Sequence, residues 1–125
     1  SKPPRSSGPR SDTINQTLEQ AMAALRGQQL QEAERLSASV LRRERGHAAA
    51  AQVLGTALLL QNRATAAVEA LQDVARRGAD PAVETLLARS LAAVGRRDEA
   101  LDQLRRATQR RPAYPLAFLE LGEAL

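Results

Sequence analysis

Apolar residues recur at intervals of three and four along almost the whole chain after Asp12. This spacing puts them on one face of an α-helix, and no long stretch alternates apolar and polar residues as a strand would. The clearest runs are Leu18, Ala21, Met22, Leu25; Val53, Leu54, Ala57, Leu58; Leu87, Leu91, Val94; and Leu101, Leu104, Ala107. The pattern predicts an all-α protein built from amphipathic helices.

Residues that end helices interrupt this pattern at a regular interval. Glycine and asparagine readily adopt the left-handed conformation that closes a helix, and proline cannot continue one. The predicted breaks fall at Gly27, Gly46, Asn62, Gly78, Gly95 and Pro112. They leave about seven helices, and the short connections force neighbouring helices to run antiparallel. Asp80 followed by Pro81 adds a start signal, an N-cap and a first-turn proline.

A repeat joins the helices into pairs. Its period is given by small residues spaced 34, 33 and 34 positions apart, which are Ala21, Gly55, Ala88 and Gly122. Twelve positions after each of the first three lies another alanine: Ala33, Ala67 or Ala100. Small residues on both helices let two backbones approach closely. Because one pair cannot bury its own apolar face, such pairs stack into an array.

This pattern resembles the tetratricopeptide repeat family from Asp12 to Leu125. The resemblance rests on the period, the small residues, the Leu-Gly pairs at 54–55 and 121–122, and the segment GRRDEAL at 95–101. It implies an α-solenoid of antiparallel helix pairs that winds into a right-handed superhelix. We expect repeats at about 14–47, 48–80 and 81–114, and the first helix of a fourth at 115–125. The aromatic that often opens the first helix is matched by Phe118, whereas Ala51 and Glu84 replace it earlier.

The first twelve residues do not share the helical pattern. Proline, glycine and serine dominate them, and most of their charges are basic. Such a composition cannot bury enough apolar surface to offset the loss of chain entropy. We predict a disordered basic arm over residues 1–12 and a repeat domain over residues 13–125.

The resemblance also implies a concave groove, lined by the first helix of each pair, that holds an extended or helical peptide. The family pattern assigns to this groove Leu18, Met22, Leu25, Gln52, Val53, Thr56, Leu59, Thr85, Leu86 and Arg89. Family members that clamp the carboxyl terminus of chaperones use Lys, Asn and Arg there, so that clamp is absent. The mostly apolar set suits an amphipathic partner helix, or another domain of the same parent chain.

Composition excludes several kinds of site. The chain has no cysteine and one histidine, so thiolate chemistry is excluded and a metal site is not expected. No nucleotide-binding, catalytic-triad or zinc-protease motif can be found, and we expect neither enzymatic activity nor a cofactor. No signal peptide or apolar run long enough to span a membrane is visible, which favours a cytoplasmic location.

Arginines account for the net charge of +4 and gather at the ends of the second helices. Cations there complement the helix dipole, and acids one turn earlier can pair with them. The predicted pairs join Glu32 to Arg35, Asp73 to Arg76 and Arg77, and Asp102 to Arg105 and Arg106. Because this placement explains the charge and aromatics for base stacking are few, a nucleic-acid-binding surface is the weaker alternative.

The last predicted helix, PLAFLELGEAL, is strongly apolar. A second copy of the chain could cover the face formed by Leu116, Phe118, Leu119 and Leu125. Self-assembly into a homodimer is therefore a further alternative. The leading hypothesis is a non-enzymatic protein–protein interaction scaffold, bacterial in origin, that forms part of a larger protein.

Overall fold

The computed structural model describes residues 9–78 and 80–110. These residues form α1 (Pro9–Arg26), α2 (Leu30–Arg43), α3 (Ala48–Leu60), α4 (Ala64–Arg77), α5 (Pro81–Ala93) and α6 (Arg97–Arg110). No strand occurs within these ranges, so the all-α prediction is confirmed. The first eight residues of the predicted arm and the predicted last helix, with Leu116, Phe118, Leu119 and Leu125, lie outside the described residues. α1 begins at Pro9, so the helix includes residues 9–12 of the predicted arm.

The turns inside the three helix pairs share one geometry. Each contains a residue with positive φ, namely Gln28 at 61°, Asn62 at 63° and Gly95 at 86°. The amide after that residue donates to the carbonyl five positions earlier, for example from Arg63 to Leu58 at 2.9 Å. This bond satisfies a carbonyl that the helix end leaves open. Gly27 follows the end of α1 as predicted, but the left-handed residue of that turn is Gln28.

The turns between pairs begin the next helix with a side-chain cap. Asp80 accepts hydrogen bonds from the amides of Ala82 and Val83 at 3.0 and 3.1 Å, as its position before Pro81 predicts. His47 caps α3 in the same way, since its Nδ1 accepts from the Ala50 amide at 3.2 Å. The sole histidine of the chain therefore has a structural role at a helix start.

The helices form two layers. Each of α1, α3 and α5 packs on the helix that follows it, and in addition α1 packs on α3 and α3 on α5. No comparable contact joins α2 to α4, or α4 to α6, over the described lengths of these helices. The first helices of the pairs thus lie closer together than the second helices. The array consequently curves toward α1, α3 and α5, which form its inner face.

Small residues permit the close packing of these layers. Ala21, Ala33 and Ala67 are completely buried, as the repeat predicts. At Gly55, an added Cβ would lie 2.9 Å from Leu71 Cδ1 and 3.0 Å from Leu86 Cδ2. A side chain at this position would press on leucines of α4 and α5 at once, and both leucines would have to shift.

A polar contact links the first repeat to the second. Oε1 of Glu34 on α2 accepts from Nη1 of Arg63 at 2.8 Å and from Nε2 of Gln61 at 3.1 Å. Gln61 also donates to the Ala57 carbonyl at 3.1 Å, which orients its amide. This contact fixes α2 against the turn between α3 and α4.

Candidate functional site

Two large apolar side chains on the helices of the inner layer are exposed. Met22 on α1 is 41% exposed and Leu60 on α3 is 62% exposed, and they are the large apolar side chains that burial leaves in solvent within the described ranges. Because α1 and α3 are neighbours in the inner layer, the two residues lie on adjacent helices. Large apolar side chains exposed on adjacent helices are candidates for contact with another molecule.

Half-buried residues surround these two side chains. Leu18 and Leu25 pack against the core between the first three helices, and Leu59 packs against the core of the later ones. Gln52 and Thr56 are half-buried polar positions on α3. These side chains are held by packing while part of each remains accessible to solvent.

Three of the predicted groove residues use their side chains for contacts within the chain. Val53 is 6% exposed and belongs to the core formed by α1, α2 and α3. Thr85 is 2% exposed, and its Oγ1 donates to the Pro81 carbonyl at 2.8 Å. Leu86 is half-buried with Cδ2 directed at Gly55. These three side chains pack against neighbouring parts of the chain.

Two charged groups of α5 lie close in sequence and differ in environment. Arg89 is exposed, whereas Glu84 is 2% exposed. Glu84 replaces the aromatic residue that often opens the first helix of a repeat. A polar residue at a position that is otherwise aromatic was the signal for a special environment, but the pattern did not predict burial of this carboxyl group.

Ion pairs on the outer helices follow the predicted spacing in two of three cases. Glu32 accepts from Arg35 Nε at 3.0 Å, and Asp73 accepts from Arg77 Nε at 3.1 Å and Arg76 Nη2 at 3.4 Å. Hydrogen bonds from these arginines hold the pKa values of Glu32 and Asp73 below their usual range. The predicted pairs of Asp102 are absent, and Arg96, just before α6, instead pairs with Glu99 in the first turn of that helix.

The described residues contain no cluster of three His, Asp or Glu side chains that could hold a metal ion. Among the helices of this part of the chain, none combines the length and apolar character needed to cross a membrane.

Solved structures share this fold at low sequence identity. The O-GlcNAc transferase of Thermobaculum terrenum, in a mutant form, matches with a TM-score of 0.83 and 24% identity over 94% of this chain. The chain spans only 23% of that transferase chain. No curated protein sequence matches.

Two shorter domains match over most of their own length. The first tetratricopeptide repeat domain of Spaghetti, bound to an HSP90 peptide, has a TM-score of 0.82 and 12% identity, covering 91% of both chains. The Yersinia enterocolitica type III secretion chaperone SycD, in complex with a peptide of the translocator YopD, has a TM-score of 0.80 and 16% identity. The match covers 90% of this chain and 92% of SycD.

A family model links this sequence to the repeats directly. The model described as anaphase-promoting complex, cyclosome, subunit 3, matches residues 18–107, which include half of α1, all of α2 to α5 and most of α6. The predicted period, the paired helices and the solved neighbours agree with this match. The chain belongs to this family of tetratricopeptide-type repeat proteins.

Proposed function

We propose that the chain is a protein-interaction module whose inner face binds an amphipathic helix of a partner protein. The observation that carries this proposal is the exposure of Met22 and Leu60 on the inner layer, beside the half-buried Leu18, Leu25 and Leu59. A helix that lays an apolar stripe across α1 and α3 would cover these side chains and remove apolar surface from water.

Two of the matched structures support peptide binding as the activity of this fold. The Spaghetti domain holds an HSP90 peptide, and SycD holds a peptide of YopD. In the present chain, the apolar character of the surface favours an apolar or amphipathic segment over a peptide recognised through its carboxylates. The partner is accordingly a different kind of ligand from an acidic chaperone tail.

We propose further that the module serves a larger protein and does not itself catalyse a reaction. The match to the transferase covers a fraction of that enzyme, which is consistent with repeats placed beside a separate catalytic domain. A partner segment can therefore come from another protein or from another domain of the same parent chain.

The test uses amphipathic helical peptides displayed as a library and selected on the wild-type protein. The double variant Met22→Asp and Leu60→Asp changes exposed positions, so folding should be retained. The exposed fractions of Met22 and Leu60 together amount to about one whole side chain. Burying one such side chain stabilises a complex by about 2 kcal/mol. Loss of that contact should weaken binding by about thirtyfold, and the two buried charges should weaken it further.

Thr65→Asp on the outer helix α4 is the matched control, because it adds a charge at an exposed position outside the inner face. Its binding should equal that of the wild type. Isothermal titration of the selected peptides measures the affinities, and circular dichroism melting checks the fold. Equal affinity of the wild type and the double variant would contradict the proposal.

A further inference from the structure

The outer face, formed by α2, α4 and α6, contains a cleft where the array curves away. Because α2 and α4 diverge, a space of about 510 Å³ opens between them. Leu54 of α3 and Val74 of α4 are buried residues that line it, and the half-buried Ala38 and Ala70 line it from the two sides. The small side chains of these alanines keep the space open.

Arginines lie along one edge of this cleft. Arg42, at the end of α2, and Arg45, in the following turn, both line the space and are exposed. Neither makes a hydrogen bond or an ion pair with any residue in the described ranges, and the same holds for the adjacent Arg43. The helix dipole explains one or two cations at the end of α2 but does not require a side chain at the cleft edge in the turn beyond it.

The negative charge of Asp73, the acid that lines the cleft, is compensated by arginines of its own helix. Asp73 accepts from Arg77 and Arg76 on its own helix, and the hydrogen bond from Arg77, with smaller contributions from Arg76 and Arg45, lowers its pKa. Glu44 is exposed next to Arg43 and Arg45, so the segment at 42–45 keeps an excess of positive charge. The cleft thus combines an apolar floor with a cationic edge.

We infer that this cleft is a second binding site, on the face opposite the inner surface, for an acidic peptide segment that carries an apolar anchor. The anchor would fill the space over Leu54 and Val74, and acidic side chains next to it would pair with Arg42 and Arg45. Charge complementarity selects this occupant, because pairing would satisfy both arginines at an accessible edge. A nucleic acid would use the arginines but would gain little from an apolar floor that has no aromatic side chain for stacking.

The experiment selects displayed random peptides on the wild-type protein and compares their affinities by titration. The enriched peptides should contain acidic residues on both sides of an apolar one. Charge reversal by Arg42→Glu with Arg45→Glu should weaken their binding by at least about tenfold, and raised salt should weaken binding to the wild type. The matched control reverses Arg105 and Arg106, which are exposed on α6 and do not line the cleft.

Filling the cleft tests the anchor separately. Ala38→Leu, with Ala70→Leu as a second variant from the opposite wall, should reduce peptide affinity while leaving the melting temperature within a few degrees of the wild type. Met22→Asp with Leu60→Asp should leave this binding unchanged, so failure here is distinct from failure at the inner face. Selection of peptides without acids, or affinities equal in the charge-reversed variant, overturns the inference. Tighter binding of a single-stranded RNA, or an arginine-dependent dimer in light scattering, also overturns it.

Discussion

The left-handed turns predict opposite effects for two substitutions at equivalent positions. Gly95 has φ of 86°, and a Cβ built on it meets no atom within 4 Å. Gln28 has φ of 61° in the first repeat, where its side chain is exposed. Gly95→Ala should therefore destabilise the protein through backbone conformation alone. Gln28→Gly should stabilise it, because it removes a side chain from the same conformation.

The magnitude follows from two opposing contributions. A residue with a Cβ loses about 1–2 kcal/mol in the left-handed conformation. Glycine has greater freedom in the unfolded chain, which costs about 0.4–1 kcal/mol when it is introduced and is recovered when it is replaced. The difference is about 1 kcal/mol in each case, with unfolding free energy lower for Gly95→Ala and higher for Gln28→Gly. A change of this size shifts the melting temperature by about 4 °C.

Urea unfolding followed by circular dichroism measures both changes on the same scale. Asn62→Gly is the graded control, because asparagine tolerates the left-handed conformation better than glutamine does and should gain less from the change. Urea midpoints that rise from the wild type to Asn62→Gly and again to Gln28→Gly support the reasoning. A Gly95→Ala protein as stable as the wild type would refute the conformational argument. The added methyl group contacts no neighbouring atom, so no new packing could offset the backbone strain.

Other substitutions and conditions give further expected outcomes. Ala100→Leu overpacks the contact between α5 and α6 and should lower the unfolding free energy by about 1–3 kcal/mol in urea titrations; an unchanged midpoint would show that the site can expand. A double-mutant cycle of Glu34→Gln with Arg63→Gln should give a coupling of about 0.5 kcal/mol, and additive effects would mean that the contact between repeats contributes nothing. Carboxyl groups with lowered pKa values stabilise the fold above their ordinary pKa, and this stabilisation is lost as pH falls through the lowered values. The carboxyl groups concerned are Glu32, Asp73 and Glu99. Urea midpoints should consequently show a small decline below about pH 4. Salt should reduce this decline because the three groups are exposed.

The sequence predicted features that depend on local pattern. The spacing of apolar residues and the small residues at 21, 55 and 88 predicted paired helices, and Asn62 and Gly95 marked two turns correctly. Gln28 was missed because glutamine has no preference for a left-handed conformation, so the geometry of that turn is imposed by the helices on either side. Only comparison with the equivalent positions in the other two repeats could have indicated it.

The surface was harder to predict than the fold. A helical pattern assigns a residue to a face but does not show how far the neighbouring helix extends over it. Val53 and Thr85 were predicted to line the groove. Val53 is instead buried in the core of α1, α2 and α3, and Thr85 is buried with its hydroxyl bonded to a carbonyl of its own helix. The cleft between α2 and α4 depends on the divergence of two helices distant in sequence. No periodicity within either helix contains that information.

The distribution of buried side chains makes the array unequal along its length. The largest core joins α3, α4, α5 and α6, while α1 and α2 are attached through two smaller clusters rich in alanine. In a linear array, each unit is stabilised by its own packing and by its neighbours, so opening proceeds from the less strongly held end. Amide hydrogens of α1 and α2 should therefore exchange with solvent faster than those of α3 and α5. A partner that spans the boundary between the first two pairs would slow this exchange and convert a weakly attached end into part of one cooperative unit.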